Sequence, residues 1–99
     1  MHIITRARLR QFWEIHTDAE DALRLWHQRA NRANWQNILE VKAIYPATDL
    51  VGRLTVFNIK GHNYRLIVRI EYERQEIYIR HILTHEEYSQ EHWKRDDWF

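Results

Sequence analysis

The segment Tyr78-Ile79-Arg80-His81-Ile82-Leu83-Thr84-His85-Glu86-Glu87-Tyr88 changes character halfway along. It starts with apolar residues on both parities, as a half-buried strand does, and ends in a histidine, two carboxylates and a tyrosine. His85 is of the type that exchanges protons near neutral pH. Tyr88 can donate or orient a hydrogen bond, but with a reference pKa of about 10 it is a poor base at pH 7. Upstream, Arg65 and Arg69 share a parity in "YRLIVRIEY", and a tight turn at "ERQE" brings Arg80 onto the neighbouring strand within side-chain reach. Guanidinium groups among Ile67 and Ile82 need an anion. That anion is either Glu71 or Glu76 of the same sheet, or a phosphate from outside, which suits the planar fork of arginine. The residues alone leave both open.

Each of these groups also has a purely structural use. His85 suits a strand-end histidine bonded to backbone or a neighbour of a Thr84 cap, and Tyr88 suits packing under the sheet edge. His81 shares the parity of Ile79 and Leu83, so it reads as a filler of the core or of an edge. A zinc site is not expected. His81 and His85 are four apart, which in a strand means about 13 Å, and "HEEYS" lacks the second histidine of a zincin motif.

The elements that must position these groups follow from periodicity. Residues 2–4 form a short strand. Thr5 is placed to cap a helix running to about residue 16, with Leu9, Phe12 and Trp13 on one face. Thr17-Asp18-Ala19-Glu20 has the capping-box pattern, and Ala22, Trp26, Ala30 and Ala33 recur behind it at helical spacing. Asn34 is placed to cap a third helix holding Ile38, Leu39 and Val41, which Pro46 ends. After Gly52 the period drops to two. "RLTVFNI" is a strand, "KGHN" a turn with Gly61 at positive φ, "YRLIVRIEY" a strand with Tyr64, Leu66, Val68, Ile70 and Tyr72 on one face, and "IYIRHIL" the next strand. Helices followed by antiparallel strands make an α+β domain, with the helices over one sheet face and the other face partly open.

Composition sets outer limits. A chain of 99 residues, 44% hydrophobic, is expected to form a single domain over 1–99. Five Trp and five Tyr supply much of its core. Without cysteine there are no disulfides and no thiolate metal sites, which fits a reducing cytoplasm. Nothing approaches the roughly 18 apolar residues of a membrane span. Net charge is only +1, but residues 53–80 carry six cations against three acids, whereas residues 86–99 carry five acids against two cations. A locally basic sheet is suited to an anion, although charge alone favours the plainer reading of a solvated face.

At these residues the chain resembles a known family. "DLVGRLTVFNIKGHNYRLIVRIEYERQEIYIRHILTHEEY", with "MHIITRARLRQFWEIHTDAEDALRLWHQ" and "WQNILEVKAIYPATDLVG" before it, is similar to the HigB family of bacterial toxins, within the wider RelE-like group. The resemblance spans residues 1–88, and "FNIKGHNYRLIV" and "YIRHILTHEEY" are its most specific parts. It implies a RelE/ParE-like fold, N-terminal helices packed on a small antiparallel sheet. It implies metal-independent cleavage of messenger RNA, usually on the translating ribosome, and no cofactor. It also implies a cognate antitoxin of the HigA type with a helix-turn-helix domain, through which alone the pair meets operator DNA.

Carried over residue by residue, the resemblance makes His85, Tyr88, Arg65 and Arg80 the catalytic candidates. Beside these, Lys60, His62 and Asn63 on the hairpin turn, with Arg69, are candidates for contact with the RNA backbone, a solvated turn being an equal reading of the three turn residues. His85 would serve as general acid or general base, the choice left open. Members often carry Asp after the Tyr, whereas Ser89 follows Tyr88 here. The tail "QEHWKRDDWF" has no counterpart; its Trp93, Trp98 and Phe99 are expected to dock on the helices or form an interface, apart from the active groups. A relative acting by protein or RNA binding without cleavage is the competing reading.

Overall fold

A computed structural model describes all 99 residues, Met1–Phe99. The chain runs β1 (His2–Ile4), α1 (Ala7–Ile15), a 3-10 turn (Thr17–Ala19), α2 (Glu20–Arg32), α3 (Ile38–Ile44), β2 (Asp49–Val51), β3 (Leu54–Ile59), β4 (Tyr64–Glu71), β5 (Glu76–Thr84), α4 (His85–Ser89) and a second 3-10 turn (His92–Arg95). One sheet has the order β1-β5-β4-β3-β2. The three later pairings are antiparallel, and β1 adds a parallel edge to β5, so the sheet is mixed. The α+β arrangement of helices on a small sheet is the expected one. No helix is long and apolar enough to cross a membrane.

Strand alternation sorts the side chains as the period of two requires. Phe57 and Ile59 of β3, with Tyr64, Leu66, Val68 and Ile70 of β4, face the helices and meet Leu9, Leu23, Trp26 and Val41 in the main core. The opposite face carries Leu54, Val56 and Ile67, and it is not open as expected. The C-terminal segment folds back across it, burying Trp93 there with Trp98, Phe99 and Tyr88 packed alongside. Arg53 donates to the carbonyls of Asp97 (2.8 Å) and Phe99 (3.0 Å). At Gly52, φ is +61°, and a Cβ would come within 3.1 Å of the Phe99 backbone, so glycine there serves both the turn and the tail.

Three helix starts differ from the sequence expectation. Thr5 does not cap α1: its φ is +65°, and its hydroxyl donates toward the Ile79 carbonyl on β5. Thr17 opens a 3-10 turn with no side-chain cap. The cap of α3 is Asn37, whose side chain accepts from the Glu40 amide at 3.1 Å, not Asn34. Several residues of the capping type stand near each start, and the turn geometry decides which one serves. The one complete capping box lies elsewhere, at Thr84 and Glu87.

Candidate active site

The β3–β4 turn and the end of β5 meet at one end of the sheet. Tyr64 pairs with Thr84 and Arg65 with Leu83, and the His85 amide donates to the Asn63 carbonyl at 3.1 Å. β5 then becomes α4 at once. The Thr84 hydroxyl accepts from the Glu87 amide (3.2 Å) and the Glu87 carboxylate accepts from the Thr84 amide (2.9 Å). This reciprocal pair satisfies donors that a helix start otherwise leaves bare. It makes His85 the first residue of the helix and exposes its ring.

Arg65 is the centre of the cluster. It is only 8% exposed, on the face turned away from the helices. Its Nη1 donates to the His62 carbonyl at 2.7 Å, and its Nη2 lies 3.4 Å from His85 Nδ1. Guanidinium only donates, so Nδ1 is the acceptor and a neutral His85 carries its proton on Nε2. The Arg65 Cζ sits 5.1 Å from the Tyr88 ring centre, in cation–π range. No carboxylate pairs with Arg65; its partners are two carbonyls, an imidazole and a ring. Asn58, opposite Arg65 in register, places its Nδ2 3.5 Å from His62 Nδ1. Asn58 and His62 thus border the site, and register counted across the "KGHN" turn is the signal that finds Asn58.

Arg80 lies elsewhere. A bulge in β5 pairs Ile67 with His81 and Val68 with Ile79, leaving Arg80 unpaired. The frame shifts, so Ile79 faces the helices while His81 turns to the opposite face. His81 therefore does not share a face with Ile79, and it fills no core. Nor is the partner of Arg80 Glu71 or Glu76. Arg80 donates from Nε (2.9 Å) and Nη2 (2.8 Å) to Asp96 in the tail, and His81 Nε2 lies 2.8 Å from the same carboxylate. The Asp96 side chain is 2% exposed. The Arg80 bonds, aided by the Trp98 amide and His81, hold its carboxyl well below the usual range despite burial. Trp98 completes the grip, its ring centre 4.0 Å from the Arg80 Cζ.

The remaining positions spread around these two clusters. Arg69 pairs with Glu71 at 3.0 Å. Lys60 pairs with Asp18 at 3.0 Å, both exposed. Asn63 is exposed on the turn that leads into Tyr64. His81 and His85 hold separate partners, and no three His, Asp or Glu side chains converge on one point. Contrary to expectation, the tail docks on the sheet and not on the helices, and it is not apart from the candidate groups: Asp96 touches Arg80 and Trp93 touches Tyr88.

Residues 19–91 match the HigB toxin family, described as the RelE-like toxic component of a toxin-antitoxin system. The chain is 28% identical over 92 residues to the mRNA interferase toxin HigB of Escherichia coli strain K12, covering 90% of this chain and 88% of the relative. The mRNA interferases HigB of Escherichia coli O157:H7 and of Shigella flexneri match over the same shares at the same identity. With the mixed sheet, the helical layer and the family match over most of its length, the chain belongs to the HigB family of RelE-like toxins.

Proposed function

We propose that the chain is an endoribonuclease that cleaves messenger RNA on the ribosome, and that a cognate helix-turn-helix antitoxin neutralises it. The observation that carries this reading is the convergence of Arg65, His85 and Tyr88 at one sheet end, with the guanidinium unpaired by any carboxylate. The names of the relatives support the same substrate.

The chemistry these groups suit is transesterification. The ribose 2′-oxygen attacks the adjacent phosphorus and the bond to the 5′-oxygen breaks. A base takes the 2′ proton and an acid returns one to the 5′-oxygen, leaving a 2′,3′-cyclic phosphate and a 5′-hydroxyl. Arg65 binds the phosphate oxygens, where charge accumulates in the transition state. As its guanidinium turns to that phosphate, the long contact to His85 Nδ1 is released and the imidazole becomes free to transfer a proton. Tyr88, a poor base, orients or donates. Arg80 contributes from outside this cluster only if the Asp96 pairing yields to RNA. Lys60, Asn63 and Arg69 border the sheet as backbone contacts, and no metal takes part.

Substituting His85 by Gln keeps hydrogen-bonding capacity and removes titration near neutrality. His85→Gln should bind programmed ribosomes normally and cleave about 10²-fold more slowly or worse. Wild-type cleavage should persist in EDTA under conditions where the ribosome stays intact. Single-turnover cleavage with mapped ends measures both. A glutamine variant at the wild-type rate removes His85 from the mechanism, and the absence of cleaved ends in cells arrested by the wild type overturns the nuclease reading.

A further inference from the structure

Helix α4 has five residues. Backbone hydrogen bonding alone does not hold so short a helix in water, because nucleation costs more than one turn returns. Its first residue is fixed by the Thr84–Glu87 box. Its far end closes on a left-handed Glu91 (φ +63°), whose amide donates to the Tyr88 carbonyl at 3.2 Å, while the Ser89 hydroxyl donates to the His85 carbonyl at 2.9 Å. These bonds are local to the helix; Trp93 is what ties that end to the sheet. The indole Nε1 donates to the Tyr88 carbonyl at 3.1 Å, and its ring lies 13° from parallel to the Tyr88 ring with centres 5.3 Å apart. Trp93 is itself 4% exposed, seated on the sheet against Leu54, Val56 and Ile67.

The contacts continue from there. The Tyr88 ring carries the Arg65 guanidinium, which reaches His85. We infer that Trp93 is a positioning residue for cleavage: seated on the sheet, it fixes Tyr88, and through Tyr88 the orientation of Arg65 toward phosphate. The inference rests on the nuclease reading above. The family match ends at residue 91, so Trp93 lies outside it. Arg65 has no carboxylate to fix its plane, so a stacked ring supplies what an ion pair would elsewhere. Small misplacements of such a clamp cost up to about 10²-fold in rate.

Three substitutions separate positioning from plain stability. Trp93→Leu removes the ring and the N–H, Trp93→Phe keeps a ring without the N–H, and Val41→Ala opens a cavity in the separate helix-side core without touching the seat of Trp93. Cleavage of programmed ribosomes is measured well below each melting point. Trp93→Leu should lower kcat about 10- to 100-fold with KM within about twofold. Trp93→Phe should recover most of that loss, and Val41→Ala should keep the wild-type kcat despite a lower melting temperature. In NMR spectra of the folded variants, the Tyr88 ring resonances and the Arg65 Nε–H signal should move in Trp93→Leu and stay near wild type in Val41→Ala. This readout is independent of activity, so an inactive wild type would sink the nuclease reading while the spectra still judged the positioning. Unchanged spectra in Trp93→Leu, or equal kcat losses in Trp93→Leu and Val41→Ala at matched stability, overturn the inference. If Trp93→Leu does not fold, Trp93→Phe decides: near-normal kcat with retained Tyr88 signals supports it, and a collapsed kcat with those signals retained overturns it.

Discussion

Arg80 holds Asp96 through two bonds, Nε to Oδ2 at 2.9 Å and Nη2 to Oδ1 at 2.8 Å, across sixteen residues of chain. The carboxylate also faces His81 and accepts from the Trp98 amide. Asp96→Asn removes the charge while keeping the shape, and leaves Arg80 and His81 facing a neutral amide. Stability should fall by about 2–3 kcal/mol, toward the low end for a broken buried pair because Arg80 keeps some solvent. Urea unfolding measures it.

The same pair sets an acid limit. The folded Asp96 pKa is depressed from 3.8, so its stabilisation is complete above that value and is lost as pH falls below it toward the folded pKa. Wild-type stability should therefore decline steeply below about pH 4. Asp96→Asn should start lower and decline less over that range. Parallel curves for the two proteins would remove Asp96 as a cause of the acid sensitivity.

Arg65→Lys keeps the charge and loses the planar fork. A lysine cannot serve the His62 carbonyl, His85 and the Tyr88 face together. Cleavage should drop by about tenfold or more, as a plane-specific phosphate clamp requires. Full activity in this variant would make Arg65 a point charge only.

Thr84→Ala breaks the capping box directly before His85. The expected cost is about 1 kcal/mol of stability. Cleavage should fall further than the folded fraction does, because the helix start sets the His85 backbone. Thr84→Ser should restore both, and a serine variant no better than alanine would count against the cap.

The helices and the three long strands are legible from periodicity, because burying one face imposes a period of 3.6 or 2 on the residues. The β3–β4 register is legible too, since the "KGHN" turn fixes Asn58 opposite Arg65, whereas counting from the "ERQE" turn alone sets Arg65 opposite Ile82, one residue short of its true partner Leu83. Helix caps are less legible, because Asn34 and Asn37 satisfy the same local pattern and only the path of the chain selects Asn37. The bulge at Arg80 leaves no mark, for β5 contains no glycine, and it reverses the faces of His81 and Ile79. Asp96 escapes sequence reading altogether, because its partners are chosen by how the tail crosses the sheet. The aromatic tail shows its apolar content in the sequence but not which face receives it.

Burial divides unevenly across the sheet: seventeen residues lie together on the helix side and four on the tail side. Cooperative units of that disparity open at different free energies. Amide hydrogens of β4 should exchange with solvent only when the whole molecule unfolds, whereas those of Trp93 and Trp98 should exchange through a cheaper excursion that peels the tail away. In that partly open species the sheet and helices persist, but Tyr88 has lost its seat. Anything that captures the peeled tail, or denies it its seat on the sheet, would disarm the molecule without denaturing it.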